Sequence, residues 1–283
     1  MKIIECPRDA MQGLHEFIPT DKKAAYINQL LEVGFDTIDF GSFVSPKAIP
    51  QLSDTAAVLD KLDLSKSNSK LLAIIANLRG ATDAVQHGQI DYLGFPLSIS
   101  EQFQKRNTNK TVEQALEALA EIQNLCLKSG KTLITYISMG FGNPYGEEFN
   151  EEIVAEFVEK LNAMDAKVVS LSDTIGIAEP ALIERVFAHS IATYPQIEFG
   201  AHFHSTPEKT YEKLSAALKA GCKRFDAAIK GFGGCPMADD DLTGNIATEK
   251  LLSFLAEQKV VTNLDMDAFQ KSMIMSADVF PMN

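Results

Sequence analysis

The stretch Ile197–His204 reads I-E-F-G-A-H-F-H. Thr206–Lys219 after it carries a helical pattern that stops before Gly221. Arg224–Ile229, R-F-D-A-A-I, then returns to β-rich sequence. A strand, a helix and a second strand in that order form the repeating unit of a parallel sheet. The same rhythm extends outward in both directions. Further β-rich runs stand at Lys2–Glu5, Thr37–Phe40, Leu71–Ala76, Ile90–Phe95, Thr132–Ile137 and Val168–Leu171. Helical patterns stand at Thr20–Val33, Thr111–Lys128, Asn150–Met164, Pro180–His189, Ala247–Leu255 and Leu264–Ala277. Thr20 and Asn150 read as capping residues, and Pro180 suits a first helical turn. Strands that alternate with helices over a chain slightly longer than about 250 residues predict an α/β (β/α)8 TIM barrel. A doubly wound sheet is the alternative, but no G-x-G-x-x-G follows the first strand. Residues 1–283 are expected to form one barrel domain, with the segment 245–283 helical and capping the barrel.

Composition narrows the function classes. Of 283 residues, 46% are hydrophobic and 23% charged, which is ordinary globular usage. Twenty-six basic residues against 38 acidic ones give a net charge of −12. Such a chain, with no basic run, is a poor binder of nucleic acid or anionic membranes. The four cysteines, at 6, 126, 222 and 235, form no C-x-x-C pair, so neither a disulfide framework nor a zinc knuckle is indicated. No apolar run reaches the roughly 18 residues of a membrane span. Met1–Cys6 leads straight into Pro7-Arg8-Asp9 without the look of a signal segment. The expected compartment is the cytoplasm.

In a barrel of this kind the chemistry stands at the C-terminal ends of the strands. Those ends are rich in polar residues: Arg8 and Asp9, Asp39 and Ser42, Tyr136, then Ser170, Ser172, Asp173 and Thr174. His202 and His204 end the seventh run, and their two-residue spacing puts both on one face of a strand. Imidazole is a common ligand for divalent metals. The plain alternative is a pair of strand-end histidines bonded to neighbouring carboxylates. Asp9 offers a carboxylate, because strand one closes against strand eight and lies near strand seven. Asn245, beyond strand eight, offers an amide oxygen. Two imidazoles, a carboxylate and an amide suit octahedral Mg²⁺ or Mn²⁺ better than tetrahedral zinc. Arg8 reads either as a surface arginine or as a fixed positive charge for a developing oxyanion. Cys235 sits in G-F-G-G-C-P, residues 231–236, where it is either an incidental small residue or a proton carrier. Cys6, Cys126 and Cys222 read as packing.

These residues resemble a known family. Pro7-Arg8-Asp9-Ala10-Met11-Gln12 is similar to the P-R-D-G-x-Q opening of 3-hydroxy-3-methylglutaryl-CoA lyases. The run from Ser42 to Gln51 resembles their S-F-V-S-P-K-x-x-P-Q segment, and Ser172–Gly176 their G-D-T-I-G. The H-x-H pair, the 231–236 loop and Gly244–Glu249 resemble their H-C-H, G-L-G-G-C-P and G-N-L-A-T-E. The matches keep their order from residue 5 to about 255. The H-x-H and R-D elements are shared more widely, with isopropylmalate synthase and oxovalerate aldolases.

The resemblance implies a TIM barrel that holds a divalent cation, Mg²⁺ or Mn²⁺, through Asp9, His202, His204 and Asn245. It implies cleavage of a 3-hydroxyacyl-CoA to acetyl-CoA and a keto acid, acetoacetate in the parent case. Arg8 would stabilise the enolate and Cys235 would transfer a proton. Asp173 would hold or deprotonate a substrate or water group, Asp39 would pair with Arg8, and Tyr136 would lie near the substrate. Gln12, Ser42, Ser170 and Thr174 are the implied substrate-binding set. The implied partner is the acyl-CoA, with neither nucleic acid nor membrane, and a homodimer is compatible with it. The sequence departs from the family at Asp39, where the lyases have glutamate, and at Ser205, where they have aspartate. Met237 replaces a tyrosine, Lys230 an alanine, and Glu5-Cys6-Pro7 is one residue shorter than E-V-G-P. The competing readings are an aldolase or condensing enzyme of the same barrel group, a lapsed barrel kept for binding, and an H-x-H hydrolase.

Overall fold

The computed structural model describes residues 1–234 and 243–280. Eight parallel strands close into a barrel in chain order. They are β1 (Lys2–Glu5), β2 (Thr37–Ser42), β3 (Lys70–Ile74), β4 (Tyr92–Ser98), β5 (Thr132–Ser138), β6 (Val168–Asp173), β7 (Glu198–Phe203) and β8 (Arg224–Ala227). Arg224 to Ala227 pairs with Lys2 to Glu5, and this register closes the ring. The outer helices are α1 (Pro7–Gln12), α2 (Thr20–Val33), α3 (Thr55–Leu59), α4 (Leu78–Ala84), α5 (Glu101–Thr108), α6 (Val112–Lys128), α7 (Glu151–Ala163), α8 (Pro180–Thr193), α9 (Thr210–Lys219), α10 (Thr248–Glu257) and α11 (Met266–Val279). The molecule is a TIM barrel. No helix among the described residues is long and apolar enough to cross a membrane.

Strand residues divide by parity. Leu71, Ala73, Leu93, Phe95, Leu133 and Ile137 join the core between sheet and helices. Leu72, Ile74, Ile134, Tyr136 and Val168 form a separate cluster inside the barrel. Both faces are therefore buried, as in other parallel sheets, and the sequence shows runs rather than polar–apolar alternation. That is why the β-rich runs locate each strand but, β1 apart, miss one or both of its ends.

The helices differ from expectation in instructive places. Thr20 does not cap α2. It is the first helical residue, after Pro19, and its hydroxyl donates to Asp54 Oδ2 at 2.7 Å. Asn150 does cap α7, its Oδ1 accepting the Ile153 N–H at 2.9 Å. The helix expected from Thr206 begins at Thr210. The short helices α3, α4 and α5 lie between the expected elements. The C-terminal helix α11 lies against α2, and its Phe269 meets Phe35, just beyond α2, edge to face at 6.4 Å between centroids. Residues 281–283 of the expected capping segment lie outside the described residues.

Candidate active site

All eight strands point the same way, so their C-terminal ends share one mouth. Pro7 starts α1 there, at the first helical position, where its missing N–H costs nothing. The helical turn, rather than an extended strand end, brings Arg8 and Asp9 to the same side. Arg8 Nη1 donates to Asp9 Oδ1 at 2.8 Å and to Gln12 Oε1 at 2.9 Å. Its Nε and Nη2 donate to Asp39 Oδ2 at 2.9 and 2.5 Å. Gln12 Nε2 donates to Asp9 Oδ1 at 2.7 Å, and Asn245 Nδ2 donates to Asp9 Oδ2 at 2.6 Å. Asp9 is the hub of the mouth.

The two histidines arrive from β7 and the residue just beyond it. His204 lies past the strand and bridges Asn245. Their rings stand 5.4 Å apart. His202 Nδ1 bonds Asp226 Oδ2 at 3.1 Å, and His204 Nδ1 bonds the Thr174 carbonyl at 2.8 Å. Each ring is therefore held by Nδ1 and offers Nε2. The buried His204 Nε2 has no hydrogen-bond partner among the described residues. Ligand atoms of Asp9, His202 and His204 lie within 4.8 Å of one another. An orphaned imidazole nitrogen, a second imidazole and a carboxylate fit a divalent cation. A hydrogen bond from Nδ1 to an oxygen fixes the tautomer that such a ligand needs. Asn245 adds an amide whose oxygen has ligand chemistry.

The electrostatics agree with ligation. Burial, with help from His202, drives His204 down to about 4, so its ring is neutral near pH 7. Burial pushes the Asp9 carboxyl up, but Arg8, His202 and His204 outweigh it and hold it below the ordinary value. Burial lowers His202, yet its bond and charge contact with Asp226 raise it above the ordinary value. Burial lifts Asp39 to about 6 against the pull of Arg8.

A cavity of about 440 Å³ opens at this mouth. Arg8, Asp9, Gln12, Tyr136, Thr174, His202 and His204 line it, and Leu14, Val44, Ile49, Ile74 and Phe103 supply apolar wall. Tyr136 meets His202 edge-on at 5.5 Å, and burial pushes its phenol well above the ordinary value.

Five expected residues lie off the cavity wall, among them Asn245, which reaches Asp9 from behind it. Asp39 stands behind Arg8. Ser42 Oγ accepts the Val44 N–H at 3.1 Å and shapes the turn after β2. Ser170 is fully buried, one pleat below Ser172, which does reach the cavity. Asp173 Oδ1 accepts from Ile177 N–H at 2.9 Å, and its Oδ2 accepts from Ala178 N–H at 3.1 Å and Lys213 Nζ at 2.6 Å. Its carboxylate is engaged with its own turn and with α9. Cys235 lies outside the described residues, as does Met237.

Three further residues, Asp226, Lys213 and Glu5, support this mouth. Glu5 Oε1 accepts the Ile229 N–H at 2.9 Å and its Oε2 accepts from Thr248 Oγ1 at 2.6 Å. It thus ties the two ends of the segment that carries Asn245. Gly233 belongs to the same region with φ +94°, and a Cβ there would come within 2.8 Å of Asn245 Nδ2 and of the Asp9 carbonyl. Only glycine fits that position.

A family model described as HMGL-like matches residues 2–274. The chain belongs to the HMGL-like family. Among its HMGL-like relatives, the hydroxymethylglutaryl-CoA lyase YngG of Bacillus subtilis is 34% identical over 92% of this chain and 86% of its own length. The mitochondrial hydroxymethylglutaryl-CoA lyase of Gallus gallus is 32% identical over 94% of this chain and 89% of its own. The structure of an HMG-CoA lyase from Acinetobacter baumannii, in complex with coenzyme A and 3-methylmalate, superposes with a TM-score of 0.92 at 32% identity. That superposition covers 100% of this chain and 92% of the other.

Proposed function

We propose that the protein is a divalent-cation-dependent carbon–carbon lyase that cleaves 3-hydroxy-3-methylglutaryl-CoA to acetyl-CoA and acetoacetate. The observation that carries the proposal is the convergence of Asp9, His202 and His204 beside Arg8 at the barrel mouth. The HMG-CoA lyase relatives support the choice of substrate, and the coenzyme A in one of their structures supports an acyl-CoA ligand. Asp9, His202 and His204, with the Asn245 amide oxygen, are the assigned ligands of Mg²⁺ or Mn²⁺. The bound cation supplies Lewis acidity, which lowers the pKa of the substrate's 3-hydroxyl.

The remaining steps belong to the chain's own groups. The hydroxyl proton passes out to solvent at the open mouth, the O–H electron pair forms the ketone of acetoacetate as the C2–C3 bond breaks, and that bond's electron pair moves into the thioester as an enolate. Arg8 is assigned the developing oxyanion. Its guanidinium is buried and pinned by Asp39, Asp9 and Gln12, so it meets that charge without reorganising. Asp226 holds the His202 ring by Nδ1, which leaves Nε2 for ligation. The apolar wall excludes water that would otherwise protonate the enolate at random. Tyr136, Gln12 and Thr174 line the space where the acyl group reacts. Ser42 and Ser170 take supporting places around it. Protonation of the enolate carbon, which completes acetyl-CoA, is assigned to Cys235 on the family resemblance. Asp173, with both oxygens occupied, is assigned a holding role instead of that of a base.

The test is metal binding by the chelator-stripped protein. Wild type should bind Mn²⁺, and His204→Ala should lose most of that affinity. Unchanged Mn²⁺ content in the variant would sink the ligand assignment.

A further inference from the structure

Lys213 lies on α9 and is completely buried. Its Nζ donates to Asp173 Oδ2 at 2.6 Å, to the Gly176 carbonyl at 2.8 Å and to the His204 carbonyl at 3.2 Å. An ammonium group has three N–H donors, and these contacts use all three. Burying a lysine is costly unless its charge is paired and its donors are satisfied. Here both conditions are met, at the back of a cation ligand.

The three acceptors come from different places: the end of β6, the turn after it, and the residue beyond β7. The Asp173 carboxylate also collects the N–H groups of Ile177 and Ala178, so the turn 173–178 is wound around it. The Thr174 carbonyl in that turn accepts Nδ1–H of His204. The His204 N–H in turn donates to the Asp173 carbonyl at 3.1 Å. His204 is therefore gripped at both ends, its main chain by Lys213 and its ring by the turn that Lys213 and Asp173 shape together.

We propose that Lys213 is a positioning residue of the cation site, which aims His204 through this carboxylate-centred turn. The proposal rests on the metal reading of the site given above. It explains why a charged side chain occupies a fully buried position on the far side of His204 from the cavity. It also explains why Asp173, at the end of a strand whose Ser172 reaches the cavity, is spent on structure. Partners of a metal ligand's second nitrogen set its direction, and their loss commonly weakens metal binding 10–100-fold.

The test uses the full chain, stripped by chelator and titrated with Mn²⁺, with free ion followed by electron paramagnetic resonance. Two variants are compared, Lys213→Met and the double variant Asp173→Asn with Lys213→Met. The double variant removes both charges, so neither is left buried alone. Each is measured far below its own melting temperature, where a merely structural loss would not change affinity. The expected result is a Mn²⁺ dissociation constant roughly 10–100-fold higher in both. A variant that melts cooperatively and binds Mn²⁺ like wild type overturns the proposal. Wild-type protein that binds no Mn²⁺ overturns the metal reading, and the proposal with it. Should neither variant fold, nitrogen-15 histidine spectra of the unaltered protein decide. His204 should be the Nδ1–H tautomer with a slowly exchanging proton, and the Nε2–H tautomer would overturn the proposal.

Discussion

Asp9 concentrates the chemistry of single residues. Its Oδ1 is shared by Arg8 and Gln12 and its Oδ2 is held by Asn245, so one carboxylate ties Arg8 and Gln12 to Asn245. Asp226 performs a similar service for His202. Asp226→Asn keeps the shape but loses the charge that favours Nδ1–H, and should raise the Mn²⁺ dissociation constant about tenfold or more. Calorimetric titration that returns the wild-type constant would remove Asp226 from the site. Cys235→Ala should lose most turnover while Mn²⁺ binding persists; full turnover in that variant would refute proton transfer by Cys235. At this scale the sequence was partly readable. His202 and His204 stand out by their spacing, and Arg8 and Asp9 by their place after the first strand. Asp226 was equally within reach, because it faces the same way as Arg224 two residues earlier on a strand. Lys213 was not. Its acceptor Asp173 lies 40 residues away on another element, and only the folded chain brings them together.

Elements carry the site through their ends. α1 owes its place to Pro7, and without that turn Arg8 and Asp9 would point apart. Glu5 at the end of β1 anchors both ends of the segment between β8 and α10. Burial lifts Glu5 to about 8 from its ordinary 4.5. Between those values the folded chain keeps a proton that the unfolded chain releases. The contribution of Glu5 to stability is thus complete below about pH 4.5 and is lost as pH rises through about 8. Thermal melts of the cation-free protein should show stability drawn down by Glu5 from pH 5 to 8, and Glu5→Gln should flatten that slope. An unchanged slope would mean that Glu5 keeps its ordinary value. Element reading from sequence succeeded where one face was marked, as in α2, α6 and α7. It failed for α3, α4 and α5, which are five to eight residues long and too short to show a helical period. It also missed the last residue of every strand but β1, since a strand buried on both faces has no alternation to mark where it stops.

The whole molecule sets a local positive charge against a net charge of −12. Arg8 carries that charge inside the barrel mouth, buried and paired with the carboxylates of Asp9 and Asp39. The parallel barrel was legible because eight β-rich runs alternate with helical ones, and the closure of β8 on β1 then brings residue 9 beside residues 202, 204 and 245. The same closure could not reveal which oxygens would already be taken, which is why the resemblance leaves Asp173 either holding or deprotonating a substrate or water group. The central claim is a cation-dependent cleavage at this mouth. Its most direct measurement gives the purified protein 3-hydroxy-3-methylglutaryl-CoA with Mg²⁺ or Mn²⁺ and follows acetyl-CoA and acetoacetate together. Equal yields of the two products, abolished by chelator and restored by the ion, are expected. Thioester hydrolysis without acetoacetate, or cleavage that persists in chelator, would contradict it.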